Sequence, residues 1–260
     1  MASELSAVIV NYRSAEMTIR CVGSILERGV CRPEHVIVLD NQSGDYARLA
    51  DALPQCVVVE SAENGGYGAG LNAAARHVKT DYMLCLNPDT YFEDSAVLRA
   101  PALFEADPAL AVIGMDLFYP DGTRQYSGRR FYTALDILIR RSFLGQTGVA
   151  RGRNERHLMK REWEAGKAFT PDWVIGTGFI VRKAAFDQVG GMDRDYFMYM
   201  EDVDLCLRLQ AHGWKILAVP GMRLIHDHQR DSASGPLSRA GRWHLASLRT
   251  FWKKHGMPLF

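Results

Sequence analysis

Tyr82-Met83-Leu84-Cys85-Leu86-Asn87-Pro88-Asp89 decides how the chain is read. Tyr82 to Leu86 is an unbroken apolar run of strand length, and Asn87-Pro88 stops it, because proline brings no N–H to a sheet ladder. A run that is apolar at every position, not at alternate ones, reads as a strand covered on both faces. Residues 5–10 and 36–39 repeat the pattern, and 57–59 and 111–115 read as further strands. Helical segments separate them: 15–28, with Ser14 as N-cap and Gly29 as stop, then 46–53, the alanine-rich 67–78, and 95–105. Strands alternating with helices imply an α/β chain with a mostly parallel, doubly wound sheet. Such sheets bind ligands at the carboxyl ends of their strands. Asn11-Tyr12, Asp40 and Asn87-Pro88-Asp89 each fall just past a strand end, so three polar clusters meet at one edge.

The second part is less regular. Asp121-Gly122 reads as a turn, 134–143 as a helix, and the Gly- and Arg-rich stretch 146–156 as a mobile loop. Residues 173–182 contain Gly176-Thr177-Gly178 followed by a strand, and Gly190-Gly191 breaks the chain. Residues 201–212 read as a helix closed by Gly213. Two short strands, 216–219 and 223–226, precede a polar, flexible stretch over 227–236 and a terminal helix over 237–255.

The 260 residues suffice for one large α/β domain with a helical extension, and 47% hydrophobic with 23% charged residues is the balance of a globular protein with a core. The net charge of +1 names no partner, and nothing in it calls for nucleic acid. Its distribution is uneven: Arg and Lys crowd 124–167 and 239–254, while acids crowd 201–204. A polyanionic ligand and a nearby membrane are both compatible with that pattern. The cysteines, Cys21, Cys31, Cys56, Cys85 and Cys206, show no CxxC spacing and read as reduced thiols of a cytoplasmic protein, not a zinc site. The N-terminal apolar run is too short for a signal sequence, and no run approaches the ~20 residues that span a bilayer. The reading is a soluble protein, or one attached at most to a membrane surface.

Several residue groups carry chemistry. An acid just after a buried strand, as in Asn87-Pro88-Asp89, suits a hard cation such as Mg²⁺ or Mn²⁺, or simply begins a turn. Glu201, Asp202 and Asp204 open a helix, where acids favour the dipole, and Asp204 can pair with Arg208. The dipole explains less well the apolar Phe197-Met198-Tyr199-Met200 directly before them; an acid held against apolar walls is a candidate general base. His226 and His228 follow a strand at i,i+2 and stand either as structural residues or as metal ligands. Asn64-Gly65-Gly66-Tyr67-Gly68 precedes a helix whose N-terminus can approach an anion, or whose glycines serve close packing; its spacing is not GxGxxG. Asp40 can accept from a base or ribose, and Tyr12 can stack on a base.

Taken in order, these segments resemble the family 2 glycosyltransferases of GT-A fold, nearest to the rhamnosyltransferase-like enzymes that build bacterial polysaccharides. The likeness rests on Val8-Ile9-Val10-Asn11-Tyr12, Val38-Leu39-Asp40-Asn41-Gln42-Ser43, Asn64-Gly65-Gly66-Tyr67-Gly68, Leu86-Asn87-Pro88-Asp89, Gly176-Thr177-Gly178-Phe179, Gly190-Gly191-Met192-Asp193, the run from Phe197 to Leu205, and Ile225-His226. It implies a Rossmann-like sheet with flanking helices and a C-terminal helical extension. Residues 1–116 would form a nucleotide-sugar-binding half, 117–235 the acceptor-binding and catalytic half of the same domain, and 236–260 a C-terminal helix. It implies that Asn11, Tyr12, Asp40, Asn64, Gly65 and Asn87 hold the nucleotide. Trp173, Gly176, Thr177 and Gly178 would line the donor-sugar and acceptor cleft. Asp89 and His226 would bind the metal, and Asp202, with Glu201 beside it, would be the catalytic base. Asn87 replaces the first acid of the family's Asp-x-Asp motif, a form that the rhamnosyltransferase-like subgroup tends to show.

The reaction so implied is inverting transfer of a sugar, rhamnose from dTDP-rhamnose or a hexose from a UDP-sugar, to a hydroxyl of a saccharide or lipid-linked acceptor in polysaccharide biosynthesis. A sugar nucleotidyltransferase would want a basic, Gly-rich loop after the first strand, where Asn11-Tyr12-Arg13-Ser14 stands. A non-catalytic nucleotide-sugar binder would not need Glu201-Asp202. The basic, Trp-bearing C-terminal helix either packs its aromatic residues on the domain or lies on the inner face of the cell membrane.

Overall fold

Strand β1 (Leu5–Asn11) is buried at every position. Parallel partners flank it on both edges, β2 (Val36–Asp40) and β4 (Tyr82–Leu86). Strand β3 (Val57–Glu60) continues the parallel ladder outside β2. Successive residues feed opposite faces, as the period of a strand requires. Ala7, Ile9, Val36, Val38, Leu84 and Leu86 join one apolar cluster, whereas Val8, Val10, Ile37, Leu39, Met83 and Cys85 join the other. Helix α1 (Ala15–Glu27) covers the first face with Val22 and Ile25. Helix α3 (Tyr67–Ala75) covers the second with Leu71 and Ala74. Helix α2 (Tyr46–Ala52) closes the β2–β3 connection.

Beyond β4 the sheet is mixed. Strand β10 (Gly178–Arg182) lies antiparallel between β4 and β6 (Leu110–Phe118), and β11 (Lys215–His226) pairs parallel with β6. Strand β5 (Thr90–Tyr91) closes the far edge antiparallel to β11, and β7 (Arg124–Gln125) pairs antiparallel with β6. The order is β3-β2-β1-β4-β10-β6-β11-β5. A small ribbon, β8 (Gly128–Arg129) with β9 (Trp173–Val174), stands apart. The helices α4 (Ala100–Ala106), α5 (Gly148–His157), α6 (Lys160–Glu164), α7 (Lys183–Gln188), α8 (Glu201–Ala211) and α9 (Arg239–His255) complete the fold. The computed structural model describes residues 4–131, 148–227 and 238–256. The helix expected over 134–143 and most of the stretch expected to be flexible over 227–236 lie outside them, as does His228.

Four local expectations change. The stretch read as a mobile loop over 146–156 contains α5, a helix polar all round, without the apolar stripe that marks most helices. It is anchored at its C-terminal end, where His157 is buried and its carbonyl accepts from Arg130 N–H at 2.9 Å. The two strands expected over 216–219 and 223–226 are one, β11, with a register break at Ala218/Arg223 where Gly221 takes φ +78°. The helix expected over 95–105 starts as a 3₁₀ turn, Ala96–Arg99, before Pro101 opens α4. Ser14 does not cap α1; its hydroxyl donates to Asn11 Oδ1 at 3.2 Å.

The break in β11 is held from β6. Asp116 is 1% exposed; its carboxylate accepts from Arg124 Nε at 2.8 Å and Nη2 at 3.2 Å, and from Gly221 N–H at 2.9 Å. One buried carboxylate thus fixes both β7 and the turn that aims the last half of β11. Asp116→Ala leaves the Arg124 charge and the Gly221 N–H without their acceptor, and is expected to cost about 2–3 kcal/mol of unfolding free energy. Urea denaturation measures it; a loss below about 0.5 kcal/mol would show that the turn holds without Asp116.

Candidate active site

Where β4 ends, the chain turns through Asn87-Pro88 to Asp89. The Asn87 N–H donates to Thr177 O at 2.9 Å, and the Thr90 hydroxyl donates to Asn87 O at 2.7 Å, so the turn is tied to the start of β10 and to itself. Strand β11 pairs with β5 through His226↔Thr90, which brings His226 beside Asp89. The Asp89 Oδ2 lies 3.2 Å from His226 Nε2. On the far side of the ring, Nδ1 donates to Gln125 Oε1 at 2.7 Å, while Gln125 Nε2 donates to the His226 carbonyl at 3.0 Å. A ring so held turns Nε2 toward the carboxylate, where a proton or a cation can be shared between them. Asp89 Oδ1 is buried without a hydrogen-bond partner. An orphaned carboxylate oxygen beside an imidazole whose other nitrogen is anchored is a donor set that fits a divalent cation. Among the described residues no third His, Cys, Asp or Glu joins them, so further ligands would be substrate oxygens and water.

The second acidic group sits at the start of α8. Tyr199 and Met200 precede it with φ +70° and +69°, a left-handed pair of non-glycine residues that costs about 1–2 kcal/mol each. Glu201 is 7% exposed, and its Oε2 has no hydrogen-bond partner. Burial, and then the charge of Asp202, push the Glu201 carboxyl up to about 8. Burial also raises Asp202, but the Gly176 N–H (to Oδ2, 2.8 Å), the Val203 N–H (to Oδ1, 2.9 Å) and the charge of Arg129 oppose that shift. Two acids this close share one net charge, and the hydrogen bonds put it on Asp202. Glu201 is the member of the pair that holds the proton, and Asp202 the one that carries the charge.

Tyr67 connects the two groups. Its hydroxyl donates to Gly176 O at 3.0 Å, on the residue whose N–H binds Asp202. Burial raises Tyr67 well above the usual phenol range, and the charges of Glu201, Asp202 and Asp89 add to the shift, so the phenol lies within electrostatic reach of all three acids. Tyr67 lines a cleft of about 460 Å³ together with Tyr12, Asn64, Asn87, Asp89 and Trp243. A larger cavity, about 930 Å³, opens beside α3 and is lined by Glu63, Gly65 and Arg194 but by neither Asp89 nor Tyr67. The chemistry selects the smaller one.

Tyr12, Asn64, Asn87 and Asp89 line the cleft; His226 stands behind Asp89, and Gly176, Thr177 and Asp202, with Glu201 beside it, are joined to the lining through Asn87 and Tyr67. Other candidates are turned elsewhere. Asn11 and Asp40 are 0% exposed. Asn11 Nδ2 donates to Asp40 Oδ1 (2.9 Å), Ser43 Oγ (3.1 Å) and Asp45 Oδ2 (3.0 Å), while its Oδ1 accepts from Thr18 and Ser14; the Ser43 hydroxyl also donates to Asp40. In this structure their polar atoms are engaged in fixing the β1 and β2 ends. Trp173 is buried in the core and donates from Nε1 to Arg130 O at 3.0 Å. Gly178 begins β10 in contact range of Leu224, where a Cβ would lie 2.3 Å from Leu224 Cδ2. Gly65 faces the larger cavity, and Gly66 is the glycine the cleft needs: at φ +90° its added Cβ would stand 2.0 Å from Phe197 O. From sequence, Gly66, Tyr67 and Asn41 stand only inside quoted segments, without a role of their own, and Arg129 is not singled out. Only the Gly-Gly-Tyr-Gly pattern offered a signal for any of them.

Comparison with protein families matches residues 6–190 to "Glycosyl transferase family 2". The chain is 29% identical to N-acetylglucosaminyl-diphospho-decaprenol L-rhamnosyltransferase of Mycobacterium tuberculosis, over 98% of this chain and 86% of that protein. It is 30% identical to rhamnosyltransferase WbbL of Escherichia coli, over 87% of this chain and 85% of that one. Among solved structures it resembles a mannosyltransferase of Pyrobaculum calidifontis in complex with GDP-Man and Mn²⁺, with a TM-score of 0.60 at 16% identity, over 89% of this chain and 59% of that one. It also resembles GalNAc-T7 with UDP, GalNAc and Mn²⁺, with a TM-score of 0.61 at 16% identity, over 86% of this chain and 44% of the other. These likenesses carry the GT-A fold.

The buried proton on Glu201 has a consequence for stability. The unfolded acid ionises near 4.5, the folded one at about 8, so the folded state is progressively disfavoured as pH rises between those values. Glu201→Gln removes the titration. The melting temperature of the variant relative to the parent is expected to rise from pH 5 to pH 8, by about 2 °C or more. A difference that stays constant over that range would overturn the assignment.

Proposed function

Because this chain belongs to glycosyl transferase family 2, we propose that it is an inverting, metal-assisted transferase with Asp202 as base, moving rhamnose from dTDP-rhamnose to a hydroxyl of a lipid-linked saccharide. The observation that carries this reading is the Asp202–Gly176–Tyr67 connection, which joins the hydrogen-bonded Asp202 carboxylate to a phenol that lines the same cleft as Asp89. The sugar and the acceptor class are supported by the rhamnosyltransferases to which the chain is similar along most of its length. A UDP-hexose donor is the alternative that a nucleotide-sugar panel would separate.

In the proposed reaction Asp202 accepts the proton of the acceptor hydroxyl as that oxygen attacks the anomeric carbon, and the nucleoside diphosphate leaves from the opposite face, which inverts the configuration. Glu201 stays protonated and keeps a second negative charge away from the base. Tyr12 stacks on the nucleotide base, and Asn64 and Asn87 supply amides to the rest of the donor. Asp89 and His226 would hold Mg²⁺ or Mn²⁺, which, when bound, neutralises charge on the departing diphosphate. One carboxylate base without a covalent nucleophile separates this site from a retaining glycosidase.

No helix among the described residues is long and apolar enough to cross a membrane. We assign the contact with a lipid-linked acceptor to the outward face of α9, where Arg242, Leu245, Arg249 and Lys253 are exposed at helical spacing, Leu245 by 42%. Trp243, Ser247 and Phe251 occupy the inward face.

Two measurements follow. Asp202→Asn is expected to lose transfer by about 100-fold or more while keeping nucleotide binding, whereas Asp89→Ala loses the Mn²⁺-dependent part of that binding in calorimetry. Near-normal turnover of Asp202→Asn would remove the base assignment. In flotation with anionic vesicles the parent chain should rise with the lipid and Arg242→Glu/Arg249→Glu should not; equal flotation of the two would end the membrane reading.

A further inference from the structure

We propose that α9 is a clamp on the catalytic turn, and that Ser247, Lys254 and His255 are positioning residues that hold Tyr199-Met200 in the left-handed conformation presenting Glu201 and Asp202. This rests on the reading of Asp202 as the base. Both partners of the clamp lie beyond residue 190, where the family match ends.

Two consecutive non-glycine residues at φ near +70° persist only where their surroundings over-determine them. One restraint comes from α3: the Phe197 carbonyl accepts from Tyr67 N–H at 3.1 Å and fills the space left by the missing Cβ of Gly66. That fixes the turn before the strain and leaves it open to relax outward. The outward side is α9. The Ser247 side chain, 4% exposed, donates to Met198 O at 2.8 Å, one residue before the strained pair. The Trp243 ring lies 5.0 Å from that of Phe197, and His244 lies 5.3 Å from Tyr199.

Two residues near the end of α9 hold the segments on either side. Lys254 binds Asp193 and, at 2.7 Å, Asp195. His255 Nε2 lies 2.7 Å from Oδ1 of Asp204, which is 0% exposed and also accepts from Arg208 Nε at 2.6 Å. Asp204 is two residues past the base on the same helix. The polar contacts of Ser247, Lys254 and His255 thus all end on residues 193–204, before and after the strained pair. Trp243, Ser247, Phe251 and His255 recur every four residues, so a single face of α9 makes the grip. Phe251, at 7% exposure, seats that face on the core and would suffice for packing alone; the polar contacts add a fixed register between helix and turn.

The test uses the full chain with Ser247→Ala and Lys254→Met, singly and together, against the conservative Ser247→Thr and Lys254→Arg. With dTDP-rhamnose as donor, the double variant should lose kcat by about 10- to 100-fold at unchanged donor KM and unchanged dTDP affinity, and the conservative pair should restore it. Amide hydrogen exchange over residues 197–203 should accelerate in the double variant, with exchange in β1 and β4 unchanged. An unchanged kcat and unchanged exchange in the folded double variant would overturn the clamp. So would a parallel loss of kcat, dTDP affinity and melting temperature that the conservative pair does not restore. A parent chain inert toward dTDP-rhamnose counts against the proposed donor, and full turnover by Asp202→Asn counts against the base; the exchange experiment decides the clamp in either case.

Discussion

The site depends on one strand running against its neighbours. Strand β10 enters the sheet antiparallel beside β4, with Gly178 opposite Leu86, so it begins where β4 ends. The segment just before it, Gly176-Thr177, therefore lies beside Asn87-Pro88-Asp89. Thr177 O takes the Asn87 N–H, Gly176 O takes the Tyr67 hydroxyl, and Gly176 N–H binds Asp202. Both backbone faces of a two-residue segment are used, which ties Asn87, Tyr67 and Asp202, from distant parts of the chain, to one point. A parallel strand in that position would start at the opposite end of the sheet and bring nothing to this edge.

That arrangement also divides the labour between the acids. Glu201 and Asp202 are neighbours in sequence and share a buried environment, so they cannot both be ionised at low cost. Backbone N–H groups settle which one is. Asp202 receives two from outside its own residue, and Glu201 Oε2 receives no hydrogen bond. Gly176 serves this purpose through its backbone: a Cβ there would meet Asp202 Oδ2 at 3.5 Å and the Tyr67 ring at 3.7 Å, ordinary contact distances, so its N–H and carbonyl matter and not the missing side chain.

The strands and their polar ends were legible because fully apolar runs with abrupt polar stops have few other meanings. What could not be read was which polar residue at a strand end faces the ligand and which faces its neighbour. Asn11 and Asp40 carry the chemistry of ligand contacts, yet each satisfies the other in a fully buried network. Trp173 likewise spends its N–H on Arg130 O. Tyr67 was hidden for the opposite reason: a tyrosine opening an alanine-rich helix looks like packing until the antiparallel β10 brings Gly176 to its hydroxyl. Helix α5 was missed because periodicity is the signal for a helix, and a helix without an apolar stripe has none. The clamp by α9 spans about 60 residues of sequence, from Asp193 to Lys254, and no local pattern announces it.

Asn87 bears on how the proposed metal site would work. On that reading the protein brings one carboxylate and one imidazole to the cation, and an amide stands where an acid would add a second anionic group. Hard divalent cations keep an oxygen-rich shell, and two protein ligands leave most of it to be supplied by diphosphate and water. The cation's affinity is then tied to the donor's presence, since the nucleotide brings the missing negative charge. The two would bind as a linked unit, each raising the affinity of the other by the same factor. On the same reading, release of the nucleoside diphosphate after transfer would also loosen the cation, so the site would reset without having to discharge a tightly held metal.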